Sequence, residues 1–156
     1  MSQSLLHRVI EGDDEAIALF GEATNCAVID WRDEPHEIVT AIAAFLPDGY
    51  LALGRVSAAR CELLVRDKPP IAVPISANAT QENLLLSINQ AIQPKYELRQ
   101  FCPFDGDSYS IFVAPQSVWS ELERTNSQAT EKLFLSAQRL AAYWSKSYLA
   151  RMFSKP

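Results

Sequence analysis

The sequence predicts an α+β fold: a largely antiparallel sheet of about five to six strands, helices packed on it, and a long C-terminal helix. Two observations point there. Short apolar runs bounded by turn residues alternate with segments whose apolar residues recur at helical spacing. Three of the short runs, between Tyr50 and Ile75, are closely spaced and joined by turn-rich links, the pattern of an antiparallel meander. No repeat, low-complexity tract or long linker divides the 156 residues, so a single domain, residues 1–156, is expected.

Taken in order, Ser4 to Ala23 reads as helical with a break at Gly12. Leu5, Leu6, Val9 and Ile10 form one apolar stripe before it. Asp13 caps a second segment, whose Ile17, Leu19 and Phe20 are expected to point inward. Asp14 and Glu15 sit in its first turn, where the helix dipole favours acids. Cys26 to Trp31 is a buried strand, and a helix follows from an Asp33 cap through Pro35 to about Leu46. The meander strands are Tyr50–Val56, Arg60–Arg66 and Ile71–Ile75; Pro69, Pro70 and Pro74 make the third an edge or bulged strand.

Asn78 and Gln81 have capping-box spacing for a helix that buries Leu84, Leu85, Ile88, Ala91 and Ile92 and stops at Pro94. A hairpin follows. Tyr96, Leu98 and Gln100 share one face of its first strand, and Glu97, Arg99 and Phe101 share the other. Asp105-Gly106-Asp107 supplies the turn, and Ser110 to Ala114 the return strand. Ser117 caps a short helix to Arg124, Thr125–Gln128 is a polar link, and one long helix is expected from about Ala129 to Phe153.

Charge narrows the function classes. Residues 1–60 carry ten acids and four bases, residues 61–124 eight and five, and residues 125–156 one and five. A chain this acidic over most of its length is a poor grip for nucleic acid, whose affinity comes mainly from neutralised phosphates. It suits a basic partner. No apolar run approaches the ~20 residues a bilayer span needs. The opening MSQSLLHRVIEGDDEA lacks a basic region followed by an apolar one, so a cytoplasmic location and no membrane association are expected.

Motifs for chemistry are sparse. Cys26, Cys61 and Cys102 are widely spaced, with neither His7 nor His36 close by, so no zinc site or disulfide framework is expected. Cys102 with His36 can be posed as nucleophile and base, but Cys102-Pro103 ends a strand and nothing identifies an oxyanion hole. Asp105 and Asp107, with Asp30 or Asp33, offer too few ligands at too loose a spacing for a calcium loop. No cofactor, metal or catalytic residue is assigned. The residues assigned to partner binding are Asp13, Asp14 and Glu15, with Asp105 and Asp107 at the hairpin tip, since rigid scaffolds present function on exposed loops and tips.

In the last helix, Leu133, Ala137, Leu140, Ala141, Trp144 and Tyr148 make one apolar stripe. Leu135, Ala142, Leu149 and Phe153 lie roughly 160–200° away, beside a basic row of Lys132, Arg139 and Lys146. A second apolar stripe implies a second packing partner: another part of this chain, or a homodimer seam through Leu135, Ala142, Leu149 and Phe153.

Two resemblances add to this reading. The run INQAIQPKYELR, the D-G-D turn, the strand after it and W-x-x-L-E from Trp119 to Glu123 resemble small uncharacterised bacterial proteins of the DUF6630-like, toxin-immunity type. VIDWRDEPHEIVTAI, Val28 to Ile42, looks like the same group, so the likeness covers about residues 26–135. It implies a non-enzymatic cytoplasmic protein that neutralises a toxin or effector by binding it, and carries over no functional residue. The order helix, three strands, helix, two strands, helix is also similar to type III secretion chaperones, which bind an extended effector segment. The extra strand and helix at Cys26–Leu46 and the long last helix depart from that pattern. An immunity-type protein is therefore the first expectation, a secretion chaperone the second, and a cysteine hydrolase using Cys102 the weakest.

Overall fold

A computed structural model describes residues 3–22, 24–30, 32–75, 80–103 and 108–144. The helices are α1 (Gln3–Ile10), α2 (Asp14–Phe20), α3 (Pro35–Ala43), α4 (Thr80–Ile92), α5 (Gln116–Leu133) and α6 (Ala137–Trp144). The strands are β1 (Ala27–Asp30), β2 (Leu51–Val56), β3 (Arg60–Val65), β4 (Ile71–Pro74), β5 (Tyr96–Phe101), β6 (Ser108–Pro115) and β7 (Phe134–Leu135). The α+β class holds, but the strands form two antiparallel sheets rather than one of five or six. A four-stranded sheet runs β1-β6-β5-β7, and a three-stranded sheet β2-β3-β4.

The four-stranded sheet is covered on both faces. One face carries Phe101, Phe112 and Ala114 against Leu6 and Val9 of α1, Phe20 of α2, and Trp119 and Leu122 of α5. Phe20 makes edge-on contacts with Phe101, Phe112 and Phe134 at centroid distances of 4.9, 5.0 and 5.7 Å. The other face carries Ala27, Ile29, Leu98, Ile111 and Val113 against α3, α4 and Leu140 of α6. Both α3 and α4 also touch the three-stranded sheet, whose inner residues Leu51, Cys61, Leu63, Val65 and Val73 complete this second core. Residues 98–101 of β5 are therefore buried on either side of the strand, though their side chains alternate.

Local chemistry explains the boundaries. Gly12, at φ +85°, turns the chain between α1 and α2 where a side chain would be strained. Asp13 then caps α2, accepting from the Ala16 N–H at 3.0 Å. Leu19 departs from its expected inward position and is 41% exposed, while Phe20 beside it is fully buried. At α3 the cap is Glu34 rather than Asp33. Glu34 and Glu37 form a capping box with Pro35 just inside, and Asp33 instead accepts from the Asp30 N–H at 2.8 Å. The helix stops at Ala43, and residues 44–46 form a turn. Pro74 lies on the edge strand β4, as expected of a residue without an N–H. The Asn78 cap, Trp31 and the 104–107 hairpin turn lie outside the described residues.

The long C-terminal helix is corrected. Asn126 (φ −154°, ψ 78°) breaks α5 where the polar link was expected, and its side chain accepts from the Ala129 N–H at 3.1 Å, restarting the helix. Pro115, not Ser117, is the residue at the first helix start. After Leu133 the chain extends: Leu135 pairs with Gln100 and Phe134 with Phe101, and Cys102 N–H donates to Leu133 O at 2.9 Å. Only then does α6 begin. Closing the outer edge of β5 satisfies strand amides that a continuous helix would have left buried and unpaired. Further along β5, beyond the reach of β7, buried Asn89 of α4 accepts from the Leu98 N–H at 2.9 Å.

Candidate functional site: a buried ion pair and an acidic strand edge

Two polar constellations stand out, one inside and one outside. The inner one begins with Glu97 and Arg99, two residues apart on β5 and both turned under α5. Arg99 Nε donates to Glu97 Oε1 at 2.8 Å and Nη2 to Oε2 at 3.2 Å, a fork matched to a carboxylate. Arg99 Nη2 also reaches Glu123 Oε1 on α5 at 2.7 Å. The guanidinium lies 4.3 Å from the Trp119 ring centroid, and Trp119 Nε1 donates to the Glu97 carbonyl at 3.0 Å. Glu97 and Arg99 are buried, while Glu123 is half exposed. The contacts of Arg99 with Glu123 and Trp119, and of Trp119 with the Glu97 carbonyl, tie α5 to β5, so the arrangement fixes a helix on a sheet. The sequence carried its signal, Glu-x-Arg on one strand face and Trp119 four residues before Glu123 on the next helix, but as alternation without burial.

The outer constellation flanks β1 along the chain. Residues 11–37 hold nine acids and a single Lys or Arg, Arg32. Before the strand, Asp13, Asp14 and Glu15 come together at the start of α2, as the sequence suggested, with Glu11 and Glu22 exposed nearby in the chain. Their roles differ. Asp13 is held by Arg8, Nε to Oδ2 at 2.7 Å, and by the Ala16 amide; the Arg8 bond and the cap hold its carboxyl below the usual carboxylate range. Glu15 meets Arg8 at 3.3 Å with most of its side chain in solvent, and Asp14 is exposed. After the strand, Asp30 binds the Arg32 guanidinium at 3.0 and 3.1 Å and accepts from the Arg32 N–H, which lower its pKa to about 2. Glu34 and Glu37 are exposed beyond it, with His36 3.6 Å from Glu34.

Between the two halves of this acidic collar in the chain lies β1, beside whose outer edge no strand lies among the described residues. The Cys26 N–H donates to Glu22 O at 3.1 Å. Asp30 is closed on itself by Asp33: its N–H donates to Asp33 Oδ2, and its carbonyl accepts from the Asp33 N–H at 3.0 Å. Antiparallel pairing alternates, so with Cys26 and Asp30 facing away from β6, Val28 between them does so too. Its N–H and C=O have no partner among the described residues, and its side chain is 42% exposed.

The other expected site residues fall as follows. Asp105 and Asp107 lie outside the described residues, as do Leu149 and Phe153. Leu135 is 2% exposed within β7, and Ala142 is exposed on α6. The two are not on one helix, so Leu135 does not continue a stripe with Ala142, and it belongs to the chain's own core. Cys102 is half-buried, and His36 is exposed at the start of α3. Burial pushes the Cys26 thiol up to about 12 and raises that of Cys61, the behaviour of packing residues rather than nucleophiles. Among the described residues no group of three or more His, Cys, Asp or Glu is placed to hold a metal ion, and no helix is long and apolar enough to cross a membrane. No family model, curated protein or solved structure matches the chain.

Proposed function

We propose that this chain is a non-enzymatic, immunity-type protein that binds and neutralises a bacterial toxin or effector in the cytoplasm. The observation that carries the reading is the acidic collar: nine acids against one Lys or Arg over residues 11–37, on α2, β1, the start of α3 and the connections between them. These elements are anchored by fully buried residues such as Phe20, Ile29 and Ile38, so the charges stand on a rigid frame. A fixed acidic surface complements a basic protein and raises its capture rate. Asp14 and Glu15 are the exposed members at the start of α2, whereas Asp13 serves its own helix. The resemblance to immunity-type proteins supports the same conclusion. A homodimer through Leu135 is not part of it, because that side chain is buried in its own chain.

The second reading, a secretion chaperone, draws on the outer face of the three-stranded sheet. There Ala52, Leu64, Ala72 and Pro74 are exposed beside Arg60 and Glu62, a partly apolar surface across which an extended client can lie. Co-expression with the toxin encoded beside the gene tests the first reading. Protection of the cells and a stable complex with the folded toxin domain are expected. Absence of both would refute it, and retention of only a short unfolded client fragment would favour the chaperone. Association is expected to slow steeply with added salt and the complex to weaken as pH falls towards about 4, where carboxylates take up protons. An association rate indifferent to salt would exclude the acidic collar as the contact.

A further inference from the structure

An edge strand is a template for another strand, and proteins usually blunt it. Three of the four outer strands here, β4, β7 and β1, are each treated differently. Pro74 lies in β4 with Pro69 and Pro70 just before it. The β7 edge is two residues long. The β1 edge is closed at both ends by its own chain, through the Glu22 carbonyl and the Asp33 side chain and amide, yet among the described residues it is open at Val28. Lysine or proline is the common device for closing such a position, and neither occurs between Cys26 and Asp30. The open stretch has the length of one residue pair. In an antiparallel ladder that is one N–H and one C=O, exchanged with a single residue of a neighbouring strand about 4.8 Å away.

We infer that Val28 is the docking position for one residue of an extended, basic segment of the partner protein, added as a strand outside β1. The inference rests on the partner-binding reading and specifies its contact. The occupant's chemistry follows from the surroundings. Acids flank the strand on both sides in sequence, Glu11, Asp14, Glu15 and Glu22 before it and Glu34 and Glu37 after it, all exposed. An incoming strand projects alternate side chains to opposite sides of the sheet, and lysines or arginines among them complement the acidic stretch of residues 11–37 in which β1 lies. The Val28 side chain adds an apolar contact on the α2 side of the sheet, where Cys26 Sγ already lies 3.4 Å from the Phe20 carbonyl. A second copy of this chain is disfavoured as occupant, because it would set one acidic collar against another.

The test uses the full chain and, as probe, a blocked seven-residue peptide alternating lysine and valine, with its glutamate counterpart as control. Nitrogen-15 NMR should show the Val28 amide shifting and exchanging its hydrogen at least about tenfold more slowly with the lysine peptide, and no effect of the glutamate peptide. Val28→Pro deletes only the outward N–H, at an edge position where proline is tolerated, and should weaken binding about three- to tenfold. Val28→Thr keeps the N–H and should bind as the native chain does. Should Val28→Pro fail to fold, Val28→Lys, which places a like charge where the basic strand docks, should lose binding. Failure of the lysine peptide to bind, binding that perturbs residues elsewhere, or equal binding by the folded Val28→Pro chain would overturn the inference. If Val28→Pro still neutralises the co-expressed toxin, this contact is wrong and the immunity reading stands. If the native chain forms no complex with the toxin, the immunity reading itself falls, whatever the peptide does.

Discussion

Arg99→Met is expected to be among the most damaging single substitutions in this chain, and the reason is the residue it leaves behind. The Glu97 carboxylate is 6% exposed and takes both arms of the Arg99 guanidinium. Removing one half of a buried pair costs about 3–5 kcal/mol, because the other charge stays desolvated without its partner. Loss of the stack on Trp119 adds about 1 kcal/mol, and loss of the bond to Glu123 adds less because Glu123 is half exposed and can be rehydrated. Replacing both charges, Glu97→Leu with Arg99→Met, removes the desolvation problem altogether. The double variant should lie between neutral and about 4 kcal/mol more stable than the native chain. Urea unfolding followed by far-ultraviolet circular dichroism at neutral pH measures both, with the denaturant slope checked for constancy. A loss below about 1 kcal/mol for Arg99→Met would refute the reasoning, as would a double variant no better than the single one.

Further expectations concern single positions. Gly12→Ala meets no atom within 4 Å yet forces an alanine to φ +85°, so it should cost about 1 kcal/mol through the backbone alone. Gly54→Ala has no such strain but brings a Cβ to 3.2 Å from Glu62 Cβ and 3.3 Å from Leu64. Glu62→Gly or Leu64→Ala should relieve it where neither would help Gly12→Ala, as thermal melts of the pairs will show. Lys68 Nζ donates to the Ala91 and Gln93 carbonyls at 2.6 and 2.7 Å, capping the end of α4; Lys68→Met should cost about 1 kcal/mol and speed hydrogen exchange in the last turn. Asp30, lowered from 3.8 to about 2 by Arg32, contributes stability that is complete above the unfolded value and is lost as pH falls from about 4 through about 2. In Arg32→Ala the Asp30 carboxyl should titrate closer to 4 by NMR, and an unchanged titration would remove Arg32 as the cause.

The parts legible in the sequence were those in which one local signal decides. The α4 helix shows its five buried positions as one stripe, and all five are buried. Gly12 and Asp13 mark a break and a cap that no distant contact competes with. The three-stranded meander follows from turn spacing alone. Distant contacts hid the rest. Phe134 and Leu135 continue an apolar helical pattern, and only the open edge of β5, over thirty residues earlier, makes two residues of strand the better solution. Alternation placed Glu97 and Arg99 on one face correctly, but a face reads as buried only once the helix that covers it is known. For the candidate site, the acids are countable in the sequence. That they flank a strand whose Val28 backbone is open among the described residues depends on which amides face β6, and no side-chain pattern records that.

The strand order β1-β6-β5-β7 has a consequence for how the chain is made. Among the described residues the first strand, residues 27–30, pairs only with one that begins at Ser108, so during synthesis it waits for about eighty further residues to emerge. The meander of residues 51–74 has all its partners within a few turns of chain and can close long before. Non-local pairing is slow, so the small sheet should gain hydrogen-exchange protection first and the central one last. Pulse labelling that found Ala27–Asp30 protected as early as Arg60–Val65 would contradict this order. Through that interval the nascent chain carries an apolar strand with both edges bare, and the many acids around it supply the mutual repulsion that keeps one such chain from another.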